Sequence, residues 1–514
     1  MWAWCTPNLM SWAKRTSAGV GKGMTTQVLS SSSDRGSKVR DVFVISEPTG
    51  AKLKATAQAT LTKFQHWTDK HQLKVSTEKS TTILISRLVS GPRVKWDQII
   101  KRSTSLKYLG VIIDNKLNWA DHLINLKTKL THLHQKITRI AGTNWGLNKD
   151  LRRRLYKTVA ERMILHGAAA WAYPLSTRQS RLLNSIQRKF LLNVTGAYST
   201  TPTAALQVIE GIIPLHTKAE QEAVYVRRAR LRKTSNYNNI NFNPNNYEDG
   251  TTSTKFHPAI FQLEDRISLK KQFLPVPGLN IYTDGSKIED KTGSAFCVME
   301  DITKYEWMAQ LSSLQHSLPS RASCYTGGLS LGKQDQPTDK GVAHVGYSGN
   351  EAADLLAKKA TQEGIPTFIP APRNHIKSLL QKESIIRWQK EWDNGETGRN
   401  VHNVLPKGKT TPTPWQRPEI MFVTGPGPFP TYLKRFNIRS SDSCVCGNLG
   451  NPLHYATSCL FTTSYHLRKP SADLEPLWWK RVMTNNNSRA KIRKLIYFIA
   501  ENEILLFPKD GDNN

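Results

Sequence analysis

Apolar residues recur along much of the chain at the spacings typical of helices. The clearest pattern covers residues 123–140, where six apolar residues follow at alternating spacings of three and four: Leu123, Leu126, Leu130, Leu133, Ile137 and Ile140. This stripe spans too few heptads for a coiled coil, so it predicts an amphipathic helix packed on a core. The same period predicts helices at 51–71, 150–173, 177–194 and 374–392.

Short runs of β-branched and aromatic residues predict strands between these helices. The first group comprises 42–45, 81–85 and 105–114, the last interrupted by Gly110. Segment 281–298 predicts two antiparallel strands around a turn, and 304–311 predicts a third. Asp284 projects from the first of these strands, although an Asp-Gly pair on its own is most often only a turn.

Residues 349–360 predict a helix that starts after a loop. Asn350 is a good N-cap, and Glu351 lies in the first turn, where the helix dipole favours an acid. The apolar face then contains Ala353, Leu356, Ala357 and Ala360, and Asp354 lies one turn into the helix. On its own this is an ordinary capped amphipathic helix with solvated charges.

The composition of the chain is strongly basic. Lys and Arg number 72 against 40 acids, which gives a net charge of +32. Such a balance favours a polyanionic partner, most plausibly nucleic acid, and the alternative is a merely soluble basic protein. Six unevenly spaced cysteines do not suit a disulfide scaffold, so a reducing, intracellular compartment fits better. No apolar run approaches the ~18 residues of a membrane span, and the N-terminus lacks a secretory signal.

Four residues near the C-terminus have the composition of a structural zinc site. The pattern is Cys444-x-Cys446-x7-His454-x4-Cys459, with Gly447, Gly450 and Pro452 at the turns between ligands. Three thiolates and one imidazole suit a tetrahedral Zn²⁺. The alternative is free thiols beside a chance histidine, since the first spacing is tighter than usual.

The stretches TDGS at 283–286 and HVGYSGNEAAD at 344–354 resemble the first strand and last helix of a type-1 RNase H domain. The resemblance implies that Asp284 and Asp354 bind Mg²⁺ and that His344 handles a proton. Two-metal hydrolysis needs several carboxylates. Neither of the family's two further carboxylates has a matching context among the acids between these stretches, so we expect an internally deleted, inactive domain.

The stretches LKVSTEKSTTILIS (73–86) and TSLKYLGVIIDNKLNWADHL (104–123) resemble the end of the palm of a non-LTR retrotransposon reverse transcriptase. Four residues match palm positions: Asp41, Lys79, Tyr108 and Gly110. The partner of Asp41 in the catalytic pair is missing, so we expect no polymerisation. The basic helices beyond correspond to the thumb, and seven cations there are candidates for phosphate contacts: Lys127, Lys129, Lys136, Arg139, Arg152, Arg153 and Arg154.

The Cys/His pattern resembles the motif that ends the Pol protein of these elements, and the three resemblances stand in that protein's order. They imply a multi-domain α/β (α+β) chain with a palm remnant (41–118), a helical thumb and connection (119–232), a truncated RNase H-like domain (276–364) and a zinc-motif region with a C-terminal helix (441–514). Composition predicts a disordered N-terminus (1–40), an Asn-rich linker (233–275) and a helical, Pro-rich connector (365–440), with an extended stretch from Pro412 to Pro430. The resemblance implies an intracellular protein, located in the nucleus or the cytoplasm.

The leading hypothesis is an inactive Pol remnant that binds nucleic acid and carries Zn²⁺. One rival is a working Mg²⁺-dependent RNA–DNA hybrid nuclease in which unmatched acids replace the lost ligands. The other is a conceptual translation that never folds. Protein partners are not predictable from the sequence.

Overall fold

The computed structural model describes residues 25–32, 40–72, 80–85, 93–96, 98–141, 146–237, 240–247, 280–289, 291–300, 302–311, 348–367 and 373–507. These residues form a mixed α+β structure with two compact units. One unit contains Met1–Leu231 and Gln381–Asn514, and the other is Arg232–Leu380. No helix within the described ranges has the length and apolar character needed to cross a membrane.

The N-terminal part of the first unit contains a four-stranded sheet, two small two-stranded sheets and one helix. Its strands are β1 (Thr25–Ser32), β2 (Arg40–Glu47), β3 (Thr81–Ile85), β4 (Lys95–Trp96), β5 (Gln98–Ile99), β6 (Lys101–Ser103), β7 (Ser105–Tyr108) and β8 (Val111–Asp114), with helix α1 (Gly50–Lys70) between β2 and β3. The main sheet has the order β2-β1-β3-β6, with β1 antiparallel to both neighbours. Helix α1 packs Leu53, Ala57 and Leu61 against this sheet, as its periodicity predicts.

The structure differs from two expectations for this region. Within the segment expected to be disordered, Thr25–Ser32 is a strand that pairs with both β2 and β3. The stretch 105–114 is a hairpin and not one interrupted strand, since the chain reverses at Leu109 and Gly110.

Seven helices follow and enclose a second core. They are α2 (Ala120–Ile140), α3 (Lys149–Leu155), α4 (Glu161–Leu165), α5 (Ala168–Trp171), α6 (Thr177–Thr195), α7 (Thr203–Glu210) and α8 (Leu215–Ala229), with a π-helical turn at Tyr156–Ala160. Helix α2 buries Leu123, Leu126 and Leu130. The single helix predicted over 150–173 is broken, because Gly167 adopts a left-handed conformation with φ of 65°.

The second unit contains a hairpin and a four-stranded sheet. The elements are β9 (Ser235–Tyr237), β10 (Ile240–Phe242), β11 (Asn280–Ile288), β12 (Lys291–Glu300), β13 (Ile302–Leu311), α9 (Ser348–Glu363) and β14 (Ile365–Thr367). The sheet order is β11-β12-β13-β14, with antiparallel pairs up to β13 and a parallel pair at β14. The β9–β10 hairpin lies inside the predicted linker, and it is ordered because Tyr237 and Phe242 are buried.

Helix α9 packs closely on β11, β12 and β13. A Cβ atom at Gly293 would lie 2.1 Å from the backbone oxygen of Ala357, so only glycine permits this approach. The helix begins at Ser348, which places Asn350 inside its first turn and not at the predicted cap. The β11–β12 hairpin confirms the predicted pair of strands, but Asp284 and Gly285 lie within β11 and not at the turn.

Helices dominate the rest of the chain. They are α10 (Arg373–Asp393), α11 (Arg399–Val404), α12 (Arg417–Thr424), α13 (Pro430–Arg435), α14 (Pro452–Thr457), α15 (Glu475–Thr484), α16 (Asn486–Glu501) and α17 (Glu503–Leu506), with a 3-10 segment at Leu460–Tyr465. The boundary between the two units falls within α10, after Leu380. The Pro-rich stretch was predicted to be extended, but Pro418 and Pro430 begin helices, where a missing N–H costs little.

Candidate metal centre and nucleic-acid surface

The four predicted zinc ligands converge in the first unit. The ligand atoms of Cys444, Cys446, His454 and Cys459 all lie within 4.8 Å of one another. The sulfurs of Cys444 and Cys459 are 3.6 Å apart, and the Cys446 sulfur is 3.2 Å from His454 Nε2. A tetrahedron with Zn–S bonds of ~2.3 Å places its sulfurs about 3.8 Å apart, so this arrangement suits one tetrahedral ion.

A tight loop and a short helix position these side chains. The Gly447 N–H donates to the Cys444 carbonyl at 2.8 Å, and Gly447 has a φ of 84°, so the first two ligands face the same way. Helix α14 then carries His454, and Cys459 follows its C-terminus with an N–H donated to the His454 carbonyl. Asn451 was not predicted to have a role at this site, but its side chain accepts from the His454 N–H at 2.8 Å. The signal was present, because Asn followed by Pro is typical of a helix start.

The protein environment favours ligation by this group. Cys444 and Cys459 are buried, and the cysteines described by the structure are free. Their 3.6 Å separation is far longer than an S–S bond of about 2.05 Å. Burial, aided by the charges of His466 and Lys469, lowers the pKa of His454, so its imidazole is neutral at pH 7 and can bind a metal. The donor set therefore fits one ion that prefers sulfur and nitrogen ligands.

The two nuclease-like carboxylates lie on elements that pack together. Asp284, in β11, is 8% exposed and accepts from the Gly285 N–H at 2.8 Å. Asp354, on α9, accepts from Lys358 Nζ at 2.8 Å in an i,i+4 pair. The hydrogen bond to Asp354 raises the pKa of Lys358, with further contributions from the charge of Asp354 and, more weakly, that of Asp284. The ammonium therefore lies within electrostatic range of both acids.

These residues do not make a complete magnesium site. Within the described ranges the Cys/His group is the one set of three or more His, Cys, Asp or Glu side chains placed to hold a metal. Asp284 and Asp354 thus have no third acid beside them there, and Asp354 already pairs with Lys358. His344 lies outside the described residues. A pair of Mg²⁺ ions, which needs several carboxylates, does not fit the two that are placed.

The palm-like residues fall in two different sheets, the four-stranded sheet and the β7–β8 hairpin. Asp41 is in β2, opposite Ser31 of β1. Tyr108 is buried at the end of β7, and Gly110 forms the turn to β8 with a φ of 87°. Lys79 lies outside the described residues. No polymerase centre can be drawn from these positions.

The predicted phosphate-binding cations divide into two groups. Lys127, Lys129, Lys136 and Arg139 are exposed along α2. Arg152 is buried instead, and its guanidinium donates to the carbonyls of Leu147 and Asn193. Arg153 donates to the carbonyls of Glu210 and Thr410, whereas Arg154 is exposed.

Comparison with known proteins identifies the relatives of this chain. The 115 kDa protein in type-1 retrotransposable element R1DM of Drosophila melanogaster is 28% identical over 160 residues, 30% of this chain and 16% of that protein. A Pol polyprotein of element R1 4 from Nasonia vitripennis is 30% identical over 129 residues, 25% of this chain and 32% of that protein. The RNA-directed DNA polymerase of the Drosophila mobile element jockey is 22% identical over 148 residues, 27% of this chain and 15% of that protein.

The chain is a homologue of type-1 non-LTR retrotransposon Pol polyproteins. The identity is low, and the matches to these Pol proteins cover a third or less of each relative's length. No family profile and no solved structure matches this Pol homologue.

Proposed function

We propose that this Pol homologue binds nucleic acid, whether RNA, DNA or their hybrid, and does not catalyse polymerisation or hydrolysis. The observation that carries the proposal is the set of exposed cations along α2, namely Lys127, Lys129, Lys136 and Arg139. Exposed cations gain affinity for phosphates by releasing condensed counterions, and they need no base contact to do so.

The arginines of α3 have a smaller part in this proposal. Arg152 and Arg153 direct their donors to backbone carbonyls within the protein, so of the three only Arg154 is counted with the α2 cations. The overall charge of +32 supports the same partner, because a basic chain attracts a polyanion from a distance.

The absence of catalysis is proposed from the acids. We take β11, β12, β13 and α9 as the remnant of an RNase H-like domain, with Asp284 and Asp354 in the positions of two metal ligands. Two carboxylates are too few to hold two ions, and the described residues place no third acid with them. In the sequence, Asp41 is preceded by Arg40 and not by the second aspartate of a polymerase pair.

We further propose that Zn²⁺ is the ion held by Cys444, Cys446, His454 and Cys459. Three sulfurs and one imidazole are typical ligands of structural zinc, and the site leaves no open position for a substrate. Thiolates must stay reduced to bind metal, so an intracellular, reducing location is part of this proposal.

The binding proposal is tested with a fluorescent duplex and an RNA–DNA hybrid at several salt concentrations. One variant replaces four α2 residues together by Gln: Lys127, Lys129, Lys136 and Arg139. It should bind more weakly, and the fall of log K with log salt should become less steep by up to about 4. The matched control changes four α1 lysines to Gln, which alters the net charge equally: Lys52, Lys54, Lys63 and Lys70. A wild-type response that is flat with salt, or equal losses in both variants, would contradict the proposal.

The inactive state is tested separately with a labelled hybrid in Mg²⁺. We expect no cleavage above that of buffer. Cleavage that is abolished by Asp284→Asn would establish the rival, a working hybrid nuclease.

A further inference from the structure

A cavity of about 900 Å³ lies in the first unit, beside the metal centre. Its walls come from the loop before α7, the turn before α11, the end of α12, helix α13, the start of α14 and helix α15. This volume is in the upper range of small-molecule sites in proteins. Neither the predicted zinc ligands nor the α2 cations line it.

Four aromatic residues line this cavity: Phe422, which is fully buried, and the partly exposed Tyr432, Phe436 and Trp479. Tyr432 and Phe436 lie with ring centroids 5.0 Å apart, and Trp479 packs on Phe422 at the same distance. Phe436 is 44% exposed, so part of its ring is open to the solvent. Partly exposed rings in a concave site offer flat apolar faces on which a planar ligand can stack.

The charges at the cavity select among planar ligands. Arg435 and two acids, Glu396 and Glu475, line it, and Glu475 accepts from the Trp479 indole N–H at 3.1 Å. Carboxylates repel a phosphate placed among them, but they accept hydrogen bonds from the amino groups of bases. The exposed Arg435 guanidinium suits a phosphate outside the aromatic part of the cavity.

We infer that this cavity receives an unpaired base of a single-stranded nucleic acid, stacked on its aromatic rings, with an adjoining phosphate held by Arg435. The inference rests on the proposed function and specifies one strand type for it. Base stacking of this kind tolerates any sequence, because every base has a π-face. It adds a site for single strands that is separate from the α2 cations.

The test uses the full chain loaded with zinc and a fluorescent single-stranded DNA of about ten nucleotides. A second strand of the same length has abasic sugars, so it keeps every phosphate and lacks the bases. Phe436→Ala should weaken binding of the normal strand by about 5- to 150-fold and leave the abasic strand unchanged. Phe436→Tyr should restore the affinity, since it keeps the ring.

The matched control is Phe461→Ala, which removes a ring of similar exposure, 39%, that does not line the cavity. Metal content, measured for each variant, checks that the neighbouring centre is intact. Equal binding of normal and abasic strands, or equal losses in the Phe436 and Phe461 variants, overturns this inference alone. Failure of the wild type to bind any strand, duplex or hybrid overturns the proposed function as well.

Discussion

Leu109 and Gly110 form the two-residue turn between β7 and β8, and both have positive φ values, 45° and 87°. Positive φ at both central residues defines a type I′ turn, for which Asn-Gly is strongly preferred. A leucine in this region carries a steric cost of about 1–2 kcal/mol.

We therefore predict that Leu109→Asn raises the free energy of unfolding by about 1 kcal/mol relative to Leu109→Ala. Both variants remove the partly exposed side chain, but only asparagine tolerates the left-handed backbone. Urea denaturation of the two proteins measures the difference. Equal midpoints would show that the turn is not strained.

His122 is almost fully buried in α2, and its Nδ1 accepts from the Ile112 N–H at 3.3 Å. Burial, with the nearby charges of His166 and Lys129, lowers its pKa to about 4. The unfolded chain binds the proton more tightly, so protonation favours unfolding as the pH falls from about 6.5 towards 4.

Between pH 7 and pH 5, protonation linked to His122 should lower the free energy of unfolding by about 2 kcal/mol. His122→Gln, which keeps an acceptor but does not titrate, should remove that part of the pH dependence. His132→Gln, at an exposed position of the same helix, is the control and should leave it intact. An unchanged pH profile in His122→Gln would contradict the low pKa.

Sequence spacing was enough to predict that the four candidate metal ligands lie together, because all four lie within 16 residues and one loop and one helix position them. It was not enough for the arginines of α3. Arg152 and Arg153 meet carbonyls of Asn193, Glu210 and Thr410, which are remote in sequence. Only the folded structure shows that these two side chains donate to backbone carbonyls of the protein itself.

Single elements were predictable where their period was long and unbroken. The bounds of helices α1, α2, α6 and α10 lie within a few residues of the predicted bounds. An apolar stripe that continues over several turns fits a helix and no other regular element. Strand β1 was missed because composition over 1–40 favours disorder, and its pairing partners come later in the chain. The segment boundaries derived from the family resemblance stay predictions.

At the element scale, the metal ligands should hold the module that contains α14. Cys459→Ser should lower the metal content from one equivalent towards zero and make the region around α14 sensitive to protease, because folding and metal binding are linked. Elemental analysis and limited proteolysis measure the two effects. Cys297→Ser removes a buried thiol of the other unit and should keep the metal; loss of metal in both variants would contradict the assignment.

For the whole molecule, division into two units predicts more than one unfolding transition. Gly293→Ala should destabilise only the second unit, by about 1–3 kcal/mol, since its Cβ meets the backbone of α9. Gly408→Ala in the first unit meets only atoms at 3.5 Å or more and serves as the control. Scanning calorimetry should show one transition shifted by Gly293→Ala. A chain without any cooperative transition would support the rival of a translation that never folds.

The amide of Val445, between the candidate metal ligands Cys444 and Cys446, donates to the carbonyl of Leu506 at 3.1 Å, and Leu506 and Phe507 are buried. Anyone who trims this protein for expression should therefore keep the chain through Phe507. A shorter version would lose the hydrogen-bond acceptor of the Val445 amide and the buried side chains of Leu506 and Phe507. The resulting loss of stability around the metal centre would be mistaken for weak metal affinity.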